Sequence, residues 1–94
     1  MNTNRIVLSY SNLESQQKLI DYVYLKTGKL INPGDIGYDG KLSILVLDLD
    51  LSNYHKTNIT CAPYAGKYHF RSVDDFINWY ELNGKDLINT NINQ

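Results

Sequence analysis

The amino-acid pattern predicts an α+β domain in which two helices pack on one face of a three- to four-stranded, mainly antiparallel sheet. Three observations carry this reading. Residues 41–51 alternate so that Leu45, Leu47, Leu49 and Leu51 form one continuous apolar stripe, while Ile44, Val46, Asp48 and Asp50 share the opposite side, because successive strand side chains point to opposite faces. Two further segments, one from Ser11 to Gly28 and one from Ser72 to Gly84, repeat apolar residues at helical spacing behind capping residues. A sheet with an apolar stripe needs a second layer, and two amphipathic helices supply it.

The elements follow in chain order. Arg5-Ile6-Val7-Leu8-Ser9-Tyr10 is a short apolar run, the pattern of a strand buried on both faces. Ser11-Asn12-Leu13-Glu14 matches a capping box, with the Ser11 hydroxyl accepting from the third helical amide and Glu14 reaching back. Leu13, Gln16, Ile20, Val23 and Thr27 then lie along one helical face, flanked by Leu19 and Tyr24, and Gly28 supplies the positive φ that ends a helix. The first helix is thus expected over 12–27. Asn32-Pro33-Gly34-Asp35 and Tyr38-Asp39-Gly40 read as turns before the long strand 41–51. A hairpin connection over 52–57 leads to a returning strand at 58–62, which Pro63 interrupts for lack of an amide hydrogen. Lys67-Tyr68-His69-Phe70 resumes extended structure.

The second helix begins at Ser72, with Asp74 and Asp75 at the positive end of its dipole. Val73, Phe76, Ile77 and Tyr80 form its apolar face beside Trp79, and Asn83-Gly84 is read as its end. Residues 86–92 alternate as a short edge strand would, or form a frayed end. The order is therefore β-α-β-β-α, and with that last strand it becomes the split βαβ, ferredoxin-like sandwich.

Composition narrows the function classes. At 94 residues the chain holds one domain, and a formal charge of −1 removes the usual electrostatic argument for nucleic acid. No apolar run has membrane-spanning length, and the polar start Met1-Asn2-Thr3-Asn4 lacks a signal-peptide pattern, so an intracellular, cytoplasmic location is expected. A lone Cys61 cannot close an internal disulfide. Eight tyrosines stand against two phenylalanines and one tryptophan. Tyrosine offers large contact area with few rotatable bonds, which suits a binding surface. An A·T-rich genome would raise Tyr, Asn, Ile and Lys together and gives the bland account of the same excess.

No catalytic set emerges. Asp48 and Asp50 share a strand face and would suit a shared cation or an acid–base pair, but two acids at a strand end also mark where a sheet meets water. His55, Cys61 and His69 follow no zinc-ligand spacing. Gly34, Gly37 and Gly40 match neither a dinucleotide fingerprint nor a P-loop, and a calcium loop from Asp35 would place Val46 where its final glutamate belongs. The expectation is a non-enzymatic domain without cofactor or metal. It would bind a protein partner as a regulator or inhibitor, through Tyr38, Tyr54, Tyr64 and Tyr68 in or beside the predicted loops. Self-association as a homodimer through an uncovered sheet face or edge is the other arrangement the pattern allows.

Two resemblances accompany this reading. Lys67 to Phe70, Ser72 to Tyr80 and Leu82-Asn83-Gly84-Lys85 together resemble the third strand, second helix and following loop of an RNA-recognition motif. That resemblance implies single-stranded RNA or nucleotide bound on the sheet face by Tyr10, Lys67, Tyr68, His69 and Arg71, with bases stacked on aromatics of the first and third strands. The free-standing, Asn- and Tyr-rich character also looks similar to accessory proteins of phages and mobile elements, implying a viral, inhibitory role.

Overall fold

Residues 4–36 and 42–92 are described by the computed structural model, Asp35 and residues 85–92 through the backbone alone. Tyr38, the second predicted turn and Gly37 and Gly40 lie outside these residues. The order is β1 (Arg5–Tyr10), α1 (Leu13–Thr27), α2 (Pro33–Ile36), β2 (Ser43–Asp48), β3 (Tyr54–Thr57), α3 (Ala62–Ala65), β4 (Tyr68–Phe70) and α4 (Val73–Ile92). The strands form one mixed sheet in the order β3-β2-β1-β4. β1 is antiparallel to β2, with Val7 opposite Val46, and parallel to β4, with Val7 opposite His69. The α+β class and the two long helices, α1 and α4, on one sheet face stand as expected, compatible with a ferredoxin-like layering. No described helix is long and apolar enough to cross a membrane.

α1 starts one residue later than the capping box implies. Asn12, not Ser11, is the cap: its side chain accepts from the Ser15 amide at 2.7 Å, so Ser15 and not Glu14 holds the third helical position. Asn and Ser cap about equally well, so adjacent candidates leave the register open by one. The helix ends at Gly28 with φ 74°, whose amide donates to the Tyr24 carbonyl. Its buried side chains are Gln16, Leu19, Ile20, Tyr22 and Val23, while Leu13 and Tyr24 face outward. Pro33 opens α2, and Asn32 Oδ1 accepts from the Gly34 amide at 2.9 Å, turning an expected loop into a single helical turn. That turn carries Ile36 into the core beside Ile31.

The second strand stops at Asp48, earlier than the predicted 51. Leu51 adopts φ 62°, its amide donating to the Asp48 carbonyl at 2.9 Å, and the chain reverses there. All four leucines of the stripe are nevertheless buried, two from the strand and two from the turn. Burial of the Leu51 side chain offsets a backbone conformation that is unfavourable for any residue with a Cβ. The return strand therefore begins early, at 54 rather than 58. Asn58 then accepts through both its carbonyl and its side chain from Cys61, at 3.2 and 2.9 Å, so the predicted strand 58–62 is instead a turn leading into α3. Pro63 sits in the first turn of α3, where no amide hydrogen is needed.

α4 is capped by Ser72, whose hydroxyl accepts from the Asp75 amide at 3.3 Å. It does not end at Asn83-Gly84, and residues 86–92 are helical rather than an edge strand. Gly84 has a packing role instead: a Cβ there would lie 2.8–2.9 Å from the Tyr80 ring. α1 and α4 are joined at the surface by Lys18–Asp74 at 3.1 Å and Lys26–Glu81 at 2.6 Å. Between them Tyr22, Phe76 and Tyr80 meet edge-on or tilted, which suits the ring quadrupoles.

Both helices cover the side of the sheet presented by Ile6, Leu8, Tyr10, Leu45 and Leu47. The opposite side carries a smaller apolar cluster of Val7, Ile44 and Val46, against which, among the described residues, Ala62 and Ala65 of α3 are packed. One face of the sheet is thus roofed by long helices and the other by a single turn.

Candidate functional site

The lightly roofed face holds a groove of about 700 Å³, a size typical of ligand sites, roughly 300–1,000 Å³. Val7 and Ile44 form its floor from β1 and β2, with Ser9 alongside. Ile59, Ala62 and Pro63 make one wall, and the segment His69 to Arg71 makes the other, the Phe70 ring itself packing on the helix side against Phe76 and Trp79, with Leu42 at the entrance to β2. The period of two explains the floor: Val7 and Ser9 alternate with the core residues Ile6, Leu8 and Tyr10.

Gly66 sets the distance between the walls. A Cβ at this position would meet the Arg5 carbonyl oxygen at 2.5 Å, so only glycine lets the α3–β4 joint close onto β1. The Lys67 amide then donates to that same carbonyl at 3.0 Å. The Gly66 carbonyl in turn holds His69 Nε2 at 2.8 Å. A carbonyl only accepts, so Nε2 carries the hydrogen and the neutral ring keeps its lone pair on Nδ1.

The groove walls are apolar with one cationic corner. None of the described lining residues is acidic, although the chain has ten carboxylate side chains. Arg71 is exposed and makes no ion pair among the described residues. By contrast Arg5 faces Asp48 at 3.4 Å, Lys18 and Lys26 are paired on the helices, and Lys67 lies 5.5 Å over the Tyr68 ring. Apolar surface continues past the rim: Leu42 is 53% exposed, Ile59 72% and Tyr64, next to Pro63, 84%.

The sequence-predicted residues distribute unevenly around this groove. Tyr64 stands in solvent beside it. Tyr54 packs against the helix-side core, and its hydroxyl accepts from the Asn32 amide at 3.4 Å. Tyr68 also points to the helix side, its ring 4.9 Å from Trp79. Tyr10 is buried in the core at 4% exposure, where no base has access, so its proposed stacking role is corrected. Burial raises the pKa of its hydroxyl, which has no hydrogen-bond partner among the described residues. His69 and Arg71 do line the groove together.

The aspartate pair is absorbed by the hairpin. Asp50 accepts from the Ser52 hydroxyl at 2.6 Å and amide at 3.0 Å, and the hydroxyl bond holds its carboxyl below the usual range. Asp48 accepts from Asn53 at 3.1 Å and faces Arg5. No cluster of three or more potential metal ligands exists among the described residues. Cys61 is exposed at the start of α3. Sequence reasoning missed Leu42, Ile59 and Pro63. The available signal was the second apolar face of the strands, Val7 with Ile44 and Val46, which no long helix was left to cover.

Compared with family models, curated proteins and solved structures, the chain matches none.

Proposed function

We propose that this domain is a non-catalytic protein-binding module that regulates or inhibits a partner by engaging it through the sheet face that α1 and α4 leave uncovered. The observation that carries this is the groove floored by Val7 and Ile44, whose apolar surface continues outward over Leu42, Ile59 and Tyr64. Exposed large apolar side chains clustered about a concavity are a usual mark of an interaction surface. Tyr64, beside the groove on a helical turn with Pro63 near its start, is an exposed aromatic of the type such interfaces favour. Tyr54 and Tyr68 support the fold from the other side and are secondary to contact.

The immobilised intact protein, challenged with extract of its native host, is expected to retain a partner that Ile59→Asp and Tyr64→Ala release. Equal retention by these variants removes the reading. Single-stranded RNA or nucleotide is the competing occupant, supported by Lys67, His69 and Arg71. Binding of an unstructured oligoribonucleotide that weakens steeply with salt and is lost on replacing Lys67 and Arg71 with Ala would favour it.

A further inference from the structure

Resting on that reading, we propose that the groove takes a segment of a partner protein in which apolar side chains stand next to a carboxylate, the carboxylate pairing with Arg71. The argument is charge complementarity within an apolar trough. Every described wall residue is apolar, neutral or basic, whereas the chain as a whole is slightly acidic. The groove thus offers an incoming carboxylate a cation and no like charge among its described lining residues.

Arg71 is the distinguishing group. A guanidinium presents a planar fork of donors that matches a carboxylate at two points, and it does so best beside low-dielectric surface. Here that surface is supplied by Val7, Ile44, Ile59 and Pro63 of the same groove. His69 is fixed by Gly66 and presents the other ring edge, so it lines the wall without competing for Arg71. A chain segment fits better than a small acid because the apolar surface does not stop at the rim. Leu42 in the lining is half exposed and Tyr64, next to the lining residue Pro63, is almost wholly so, and a chain segment covers apolar surface that a small molecule leaves wet.

The test is selection of a displayed random-peptide library on the intact protein, followed by anisotropy titration of a selected peptide. Enriched sequences are expected to hold Asp or Glu adjacent to Leu, Ile, Phe or Trp. Arg71→Gln should weaken the peptide about tenfold or more, the range for a charge-assisted hydrogen bond. Ile59→Asp should abolish binding, and Lys56→Gln on the sheet edge should leave it within about twofold. Changing the peptide's acid to its amide should match the Arg71→Gln loss and add little to it. Purely apolar winners, or acidic winners indifferent to Arg71→Gln, overturn this inference while leaving groove-dependent partner binding intact. Indifference of every peptide and of the host partner to Ile59→Asp overturns both. A concentration-dependent dimer broken by Ile59→Asp assigns the groove to a second copy and also overturns it.

Discussion

Tyr80 donates its hydroxyl hydrogen to the carbonyl of Leu49 at 2.5 Å, tying the middle of α4 to the turn that ends β2. That turn holds Leu51 at positive φ, and the buried bond satisfies a carbonyl left without a strand partner. Tyr80→Phe should cost about 1–3 kcal/mol, the range for an orphaned buried acceptor. Chemical denaturation of the two proteins measures it. An unchanged midpoint would mean that water replaces the hydroxyl.

Gly84→Ala gives the less intuitive result. In an exposed helix interior this change stabilises by about 1 kcal/mol. Here the added methyl would fall within 3 Å of the Tyr80 ring and push it off Leu49. The expected outcome is destabilisation of about 1–3 kcal/mol, as for overpacking. Stabilisation would show that the ring moves aside freely.

The alkaline limb of stability follows from the same contacts. Burial, with the Asp50 charge as a smaller contribution, pushes the Tyr80 hydroxyl up from 10.0 to about 12. Burial raises Tyr10 as well, and burial followed by the Glu81 hydrogen bond raises Tyr22. A raised native pKa means that the unfolded chain loses its proton first. The contribution is therefore fully present below pH 10 and is lost as pH climbs through about 12. Near-ultraviolet titration should show delayed tyrosinate formation in the native protein, and Tyr80→Phe should flatten the loss of stability in that window.

Which parts of this were legible in the amino-acid order depends on how local the determining force is. The strand Arg5–Tyr10, the Gly28 cap and the leucine stripe were legible because period and capping chemistry act within a few residues. The end of β2 was not, because Leu51 takes a conformation its own propensity opposes and tertiary burial imposes it. Gly84 misled for the complementary reason: glycine marks a helix end by local preference, whereas here it serves a ring four residues back. Lys67, His69 and Arg71 were legible as a small basic cluster. The junction of His69 and Arg71 with Ile59 and Pro63 was hidden by the unexpected α3 turn. The partner preference of a groove made from four separate segments has no local signature.

Gly66→Ala should damage fold and groove together. Its methyl would press on the Arg5 backbone carbonyl, and neither strand can yield without breaking the β1–β4 pairing. A cost of about 1–3 kcal/mol or more is expected, read as a melting temperature lower by about 4–8 °C for each kcal/mol. Loss of peptide binding at temperatures where the variant remains folded would locate the effect in the wall spacing.

Floor and rim of the groove should separate cleanly under one kind of substitution. Val7 is 3% exposed between β2 and β4, so Val7→Asp buries an unpaired carboxylate and should prevent stable folding. Ile59 projects into solvent, so Ile59→Asp should leave stability within about 0.5 kcal/mol, as surface changes usually do. The same carboxylate then places an acid in the lining that Ile59 shares with Arg71. Thermal unfolding compared with partner retention checks both halves. A large stability loss in Ile59→Asp would make Ile59 part of the core, and the groove would then have no free apolar wall to offer.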